Sequence, residues 1–161
     1  MSRNDFGLDQ LGAGEVTNFF SVSSAAPLEC LSARFVSHAY VPHTHDTFVV
    51  GTIISGCETL LIGGSRCYAG PGDLCLVAPG VVHDGRPAND GYAYRISYPT
   101  TDYLLEAFAD ATECRSVGTP DFAEPIIHDP ELARTFAQVH RLAETSGDSL
   151  ETDELLSRFF V

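Results

Sequence analysis

From position 18 to 98 the chain alternates short apolar, β-branched or aromatic runs with turn-forming residues. The runs cover 19–22, 31–38, 47–54, 58–62, 66–69, 74–77 and 92–98, and each reads as a strand. They are divided by Ser55-Gly56, Gly63-Gly64, Gly70-Pro71-Gly72-Asp73, Pro79-Gly80 and Asn89-Asp90-Gly91. Gly63-Gly64 between two strand-like runs predicts a tight hairpin. Regularly spaced short strands with such turns predict an antiparallel sandwich or barrel.

After Pro99 the period changes. Leu104, Leu105, Phe108 and Ala109 form a short helical stripe. Residues 112–128 read as irregular, because Pro120 and Pro125 break any long helix. Asp129-Pro130-Glu131 then opens a helix, with Asp as N-cap, Pro at the first helical position and an acid in the first turn. Its stripe is Leu132, Phe136, Val139 and Ala143, and Gly147 ends it. Such a stripe is expected to pack on the β unit or on a partner copy. Asp148 with Glu151 predicts a cap for a last helix bearing Leu155, Leu156, Phe159 and Phe160. The closing Phe159-Phe160-Val161 reads as an apolar ridge that belongs to a longer protein. The expected division is a flexible arm (1–17), a β unit (18–99) and a helical segment (100–161).

Composition narrows the classes. A length of 161 residues suggests one domain. A chain of this size buries roughly 70% of its unfolded surface and needs no disulfide to fold. The odd set Cys30, Cys57, Cys67, Cys75 and Cys114 contains no CxxC pair, which fits reduced thiols in core-like runs. No apolar run approaches the ~18 residues of a membrane span. The first residues lack the apolar core of a signal peptide, so a cytoplasmic location is expected. The net charge of −13, without any basic stripe, argues that this stretch alone does not bind DNA.

The chemistry concentrates in three histidines. His43 and His45, at i and i+2 on a strand, point to one face, and His83 follows the Pro79-Gly80 turn. Three imidazoles on one face suit zinc, nickel or iron. They also suit an anionic or polyhydroxyl ligand, or simple packing. In the run 92–98, alternation puts Tyr92, Tyr94, Ile96 and Tyr98 on one face and Arg95 on the other. Inward tyrosines either hold a ligand or are ordinary core residues. Asp46 and Asp84 each follow a histidine, but adjacency along a strand turns them away from it. His38, His128 and His140 read as surface or packing residues.

The spacing of these residues resembles the cupin superfamily. Its first motif, G-x5-H-x-H-x3,4-E-x6-G, is met by His43, His45 and Gly56, but Val49 stands in the acid's place and Ser37 replaces the leading glycine. The second motif supplies Gly72, Pro79, Gly80 and His83, with one extra residue before the proline and Pro87 in place of the asparagine. The runs His45-Asp46-Thr47, Pro79-Gly80-Val81-Val82-His83-Asp84-Gly85 and Gly91-Tyr92-Ala93-Tyr94-Arg95 further resemble the N-terminal sensor domain of AraC-type transcriptional regulators. That resemblance implies a mainly β fold: a cupin-like antiparallel barrel of jelly-roll type, followed by C-terminal helices. It implies a small-molecule effector, a homodimer built through those helices, and DNA binding only through a helix-turn-helix domain outside this chain. His43, His45, His83, Tyr94 and Arg34 are the expected ligand-binding residues, and the three histidines the expected site of any metal. Catalytic residues are not expected. The competing readings are a metal-dependent cupin enzyme, such as a three-histidine dioxygenase or isomerase, and a dimerisation module with a vestigial pocket.

Overall fold

The computed structural model describes residues 11–22, 27–112, 118–146 and 150–160. The strands are β1 (Val16–Val22), β2 (Leu28–Phe35), β3 (Tyr40–His43), β4 (Val49–Ile62), β5 (Ser65–Ala69), β6 (Asp73–Val77) and β7 (His83–Tyr98). Helix α1 (Thr101–Thr112) follows, then β8 (Ile126–His128), α2 (Pro130–Ser146) and α3 (Leu150–Phe159). All pairings between these strands are antiparallel, in the order β1-β2-β7-β4-β6-β8, with β3 added to β7 and β5 to β4.

The centre of the sheet is covered on both sides, which explains why β4 begins as a continuous apolar run rather than an alternating one. Val49 and Ile53 face a core shared with Leu31, Phe35, Leu60, Tyr92 and Tyr94. Val50, between them in sequence, packs instead with Leu74, Leu76, Ala133 and Phe136 beneath α2. Strand β2 likewise sends Leu31, Ala33 and Phe35 into the first core, and Leu28 and Cys30 under α1 and α3.

Two of the expected breaks are bulges inside longer strands. Ser55-Gly56 lies within β4, and Asn89-Asp90-Gly91 within β7. The β4–β7 register shifts between Ile53 and Ser55 and again between Gly56 and Glu58. Gly56 (φ 77°) and Gly91 (φ 111°) take left-handed backbone there, where a Cβ on Gly56 would meet the Gly91 carbonyl and one on Gly91 the Phe35 carbonyl. Gly63-Gly64 does form the expected two-residue hairpin, closing the Ile62–Ser65 pair.

The helical segment differs from its sequence reading in three ways. Residues 126–128, read as irregular, add β8 to β6 through Asp73–His128, Leu74–Ile127 and Cys75–Ile126. Three residues are too few to show a period. The α2 stripe is split: Phe136 and Ala143 are buried with Ala133 and His140, Val139 is half-buried, and Leu132 remains exposed, as does Leu142 outside the stripe. Phe159 and Phe160 do not form an open ridge. Phe159 meets Phe136 at a ring separation of 4.9 Å, and Phe160 meets Tyr103 at 5.8 Å. The start of α2 is as expected, with the Leu132 amide donating to Asp129 Oδ1 at 2.9 Å. Gly147, Asp148, Cys114, Val161 and the first ten residues of the arm lie outside the described residues. The four described cysteines carry no disulfide.

Candidate functional site

Three elements bring the histidines together. Strand β3 carries His43, the loop behind it carries His45, and β7 opens on His83, which stands directly opposite His43 in the β3–β7 pairing. Ring centroids are 4.4 Å apart for His43–His83, 4.8 Å for His43–His45 and 5.0 Å for His45–His83. One nitrogen from each ring lies within 4.8 Å of the others.

Two of the tautomers are fixed by backbone. His43 Nδ1 lies 2.7 Å from the Val41 carbonyl, and His83 Nδ1 lies 2.9 Å from the Val81 carbonyl. A carbonyl only accepts, so both Nδ1 atoms carry the proton. In the neutral ring the lone pair then sits on Nε2. Burial, followed by the neighbouring His83 and His43, brings His45 down to about 3. Burial also lowers His83, against the Val81 hydrogen bond. His83, buried and with Nδ1 committed to a backbone carbonyl, has the protonation that metal coordination requires. A tetrahedral ion with ~2.1 Å bonds wants nitrogens ~3.4 Å apart, and three imidazoles whose donor atoms lie within 4.8 Å of one another are a donor set that suits it.

The histidines line one end of a cavity inside the barrel. Tyr40, Tyr94 and Tyr98 line it too, with Val49, Ile53, Leu60, Val77 and Ile96 as its apolar wall. The Tyr40 and Tyr94 hydroxyls are 2.7 Å apart, and burial raises both phenols. The inward face of β7 is thus the one that alternation assigns to the tyrosines. The cavity measures about 50 Å³. On that measure one water takes ~10–15 Å³, so the space suits a few waters, an ion or a very small molecule.

Val49, in the place of the usual acid, contributes only an apolar contact. Yet the cavity does hold a carboxyl that sequence reasoning missed. Glu58 on β4 is buried and lines the same space. Burial pushes its carboxyl up to about 8. The Tyr92 hydroxyl opposes that rise, from a position outside strict hydrogen-bonding geometry. Alternation carried the signal: Glu58, Leu60 and Ile62 share a face, and the last two are core residues.

Other sequence candidates fall elsewhere. Arg34 is exposed on the outer face of β2, beside Ile54, Ala93 and Arg95, and does not join the histidines. Its neighbours Ala33 and Phe35 take the inward positions. Asp84 Oδ1 accepts the Leu61 amide at 2.7 Å, so it braces β4 rather than an imidazole. His38 stacks near Phe35 and Tyr40, at 4.7 and 4.8 Å. His128 is exposed and pairs with Asp73 at 2.7 Å. His140 is fully buried on α2, with Nε2 2.9 Å from the Ile96 carbonyl and Nδ1 3.0 Å from Arg95 Nη1. Arg95 also reaches Glu144 at 2.7 Å, and Glu144 accepts from Asn18 and Ser32. Burial would raise the Glu144 carboxyl; the hydrogen bonds from Asn18, Ser32 and Arg95, with the Arg95 charge, instead bring it to about 2. Strand β7 therefore lines the cavity on one face and grips α2 on the other.

The solved structures most like this fold include a cupin 2 conserved barrel domain protein from Leptotrichia buccalis. It is 12% identical with a TM-score of 0.50, over 58% of this chain and 45% of that one. They also include an oxalate decarboxylase variant from Bacillus subtilis, 17% identical with a TM-score of 0.50, over 74% of this chain and 39% of that one. At such identities the likeness is one of fold. Among curated proteins, an uncharacterized HTH-type transcriptional regulator of Bacillus subtilis (strain 168), YbfI, is 26% identical over 133 residues, 80% of this chain. The chain spans 46% of that regulator's length. Residues 25–160 match the family described as the AraC-like ligand binding domain, and this chain, a cupin-like barrel with C-terminal helices, belongs to that family.

Proposed function

We propose that the chain is the effector-sensing and dimerisation domain of a bacterial AraC-type transcriptional regulator. A small molecule enters the barrel and is held by His43, His45, His83 and Tyr94. Its binding favours one arrangement of the helices, and so one geometry of a homodimer whose DNA contacts are made by a separate domain in the cytoplasm. Such a shift requires different affinities for the two arrangements. The observation that carries this reading is the two-faced strand β7. Tyr94, Ile96 and Tyr98 line the cavity, while Arg95 and the Ile96 carbonyl hold His140 and Glu144 of α2. The exposed Leu132 and Leu142 of α2 supply the contact between copies.

The test is a thermal-shift screen with sugars, amino acids and small organic acids. A true effector at 100 times its Kd adds ~2.7 kcal/mol of stability. The same gain should vanish in His83→Ala. Failure of every effector class to move the wild-type Tm would leave the chain a dimerisation module.

A second reading rests on the imidazole geometry. His43, His45 and His83 would hold a zinc, nickel or iron ion with coordination positions left open. Such an ion would act as a Lewis acid or, as iron(II), as an oxygen-activating centre. The chain's own part is to hold the His43 and His83 rings through the Val41 and Val81 carbonyls, which leaves each Nε2 to the ion. Cobalt(II) titration followed by visible absorption tests it: wild type should give a saturable band at one equivalent, and His43→Ala should not. A band without any turnover of oxygen or substrate would set the metal-dependent cupin enzyme aside in favour of a metal-assisted sensor.

A further inference from the structure

We infer that Glu58 is the group that chooses the ligand, and that the barrel takes a small organic cation, a primary ammonium on a short apolar body. This deepens the reading of the barrel as an effector site and rests on it.

The cavity's charge is one-sided. Glu58 is 6% exposed, and Asp84 lines the same space. Among the described residues no arginine lines it, and the sequence contains no lysine. The three histidines line it too, with the Nδ1 atoms of His43 and His83 committed to backbone carbonyls. An anionic ligand would therefore meet two carboxyls and no arginine or lysine, whereas an ammonium meets a carboxyl and the aromatic rings of Tyr40, Tyr94 and Tyr98. Cations are attracted to the faces of such rings, most strongly where water is excluded.

Glu58 is also placed to act as an anchor. It lies inside the barrel on the same face of β4 as Leu60 and Ile62. Across from it, a side chain at Gly85 would run into the carboxyl, so the glycine makes the room. The ionisable groups that feel Glu58 are Asp84, Tyr92, Tyr40, Tyr98 and Cys75, none of them a cation. A buried carboxylate without a cation is costly, and the group instead keeps its proton near neutrality. An ammonium supplies the missing charge. The cavity's size limits its body to a few heavy atoms.

The test uses three probes of matched shape: n-propylammonium, n-propanol and propionate. Calorimetric titration of the whole chain should show the ammonium binding about tenfold or more tighter than the alcohol, the strength of one charge-assisted hydrogen bond. Propionate should be weakest. In Glu58→Gln, with an unchanged circular dichroism spectrum, the ammonium should lose that advantage while the alcohol's affinity stays put. Equal or tighter binding of propionate, or an ammonium affinity untouched by Glu58→Gln, overturns the inference. So does the absence of ammonium binding at millimolar concentration. In that case a His83-dependent response to any neutral or anionic compound would show that the barrel is still a ligand site. Silence across the whole screen would remove that reading too.

Discussion

Replacing Glu58 by glutamine should change how stability depends on pH more than it changes the fold. The carboxyl is pushed up to about 8 from an ordinary 4.5, with burial as the main cause. A carboxyl raised in the folded state takes up a proton on folding at any pH between those values. That contribution is fully present below 4.5 and is lost as pH rises through 8. Each pH unit in this window removes about 1.4 kcal/mol, so from pH 5 to pH 8 wild type should lose about 4 kcal/mol relative to Glu58→Gln. For a chain of this length that is a relative Tm change of roughly 10 °C. Urea unfolding of both proteins at half-unit steps gives the comparison directly. His45, His83 and His140 are lowered rather than raised, and destabilise the fold as pH falls. They are present in both proteins, so the difference between the two profiles isolates Glu58. A constant offset between the profiles across the window would refute the argument, and with it the claim that this carboxyl is buried without a counter-charge.

Three further outcomes are expected. His140, lowered by burial to about 4, should contribute stability above pH 6.5 that is lost as pH falls through 4, about 3 kcal/mol in all; His140→Gln should flatten that loss in urea midpoints. Phe136→Ala should cost about 3–5 kcal/mol in unfolding experiments without altering the sedimentation of the folded protein, whereas Leu132→Glu with Leu142→Glu should shift the monomer–dimer balance at little cost to stability. Glu15 accepts the amides of Gly12, Val36, Ser37 and His38 at 2.6–2.9 Å, and these outweigh burial to bring its carboxyl to about 2. Glu15→Ala should therefore cost about 2 kcal/mol and speed hydrogen exchange at residues 36–38; unchanged exchange there would rule out the tether.

Local signals were enough for several parts of the molecule. The His43–His45 spacing, the Gly63-Gly64 hairpin, the Asp129 cap and the inward tyrosines of β7 each depend on one or two neighbouring residues. What could not be read depends on partners far along the chain. Gly56 and Gly91 look like strand ends, because nothing local says that each is a bulge pressed against another strand's backbone. Ile126–His128 has no period to show and is a strand only because β6 has a free edge. His140 reads only as a surface or packing residue, because the Ile96 carbonyl and Arg95 that meet its two ring nitrogens lie more than forty residues away. Glu58 is legible by alternation with Leu60 and Ile62, although the motif's acid position falls on Val49.

The close approach at Gly56 and Gly91 has a mechanical meaning. Both positions have a backbone carbonyl where a side chain would begin. A slip of one residue between β4 and β7 would drive a larger residue into that space, and would turn Tyr94 and Ile96 out of the barrel. The two long strands are thus pinned like staves with a shared rivet. Strain that a guest puts on this part of the barrel wall therefore has no sliding mode between the two strands to dissipate it.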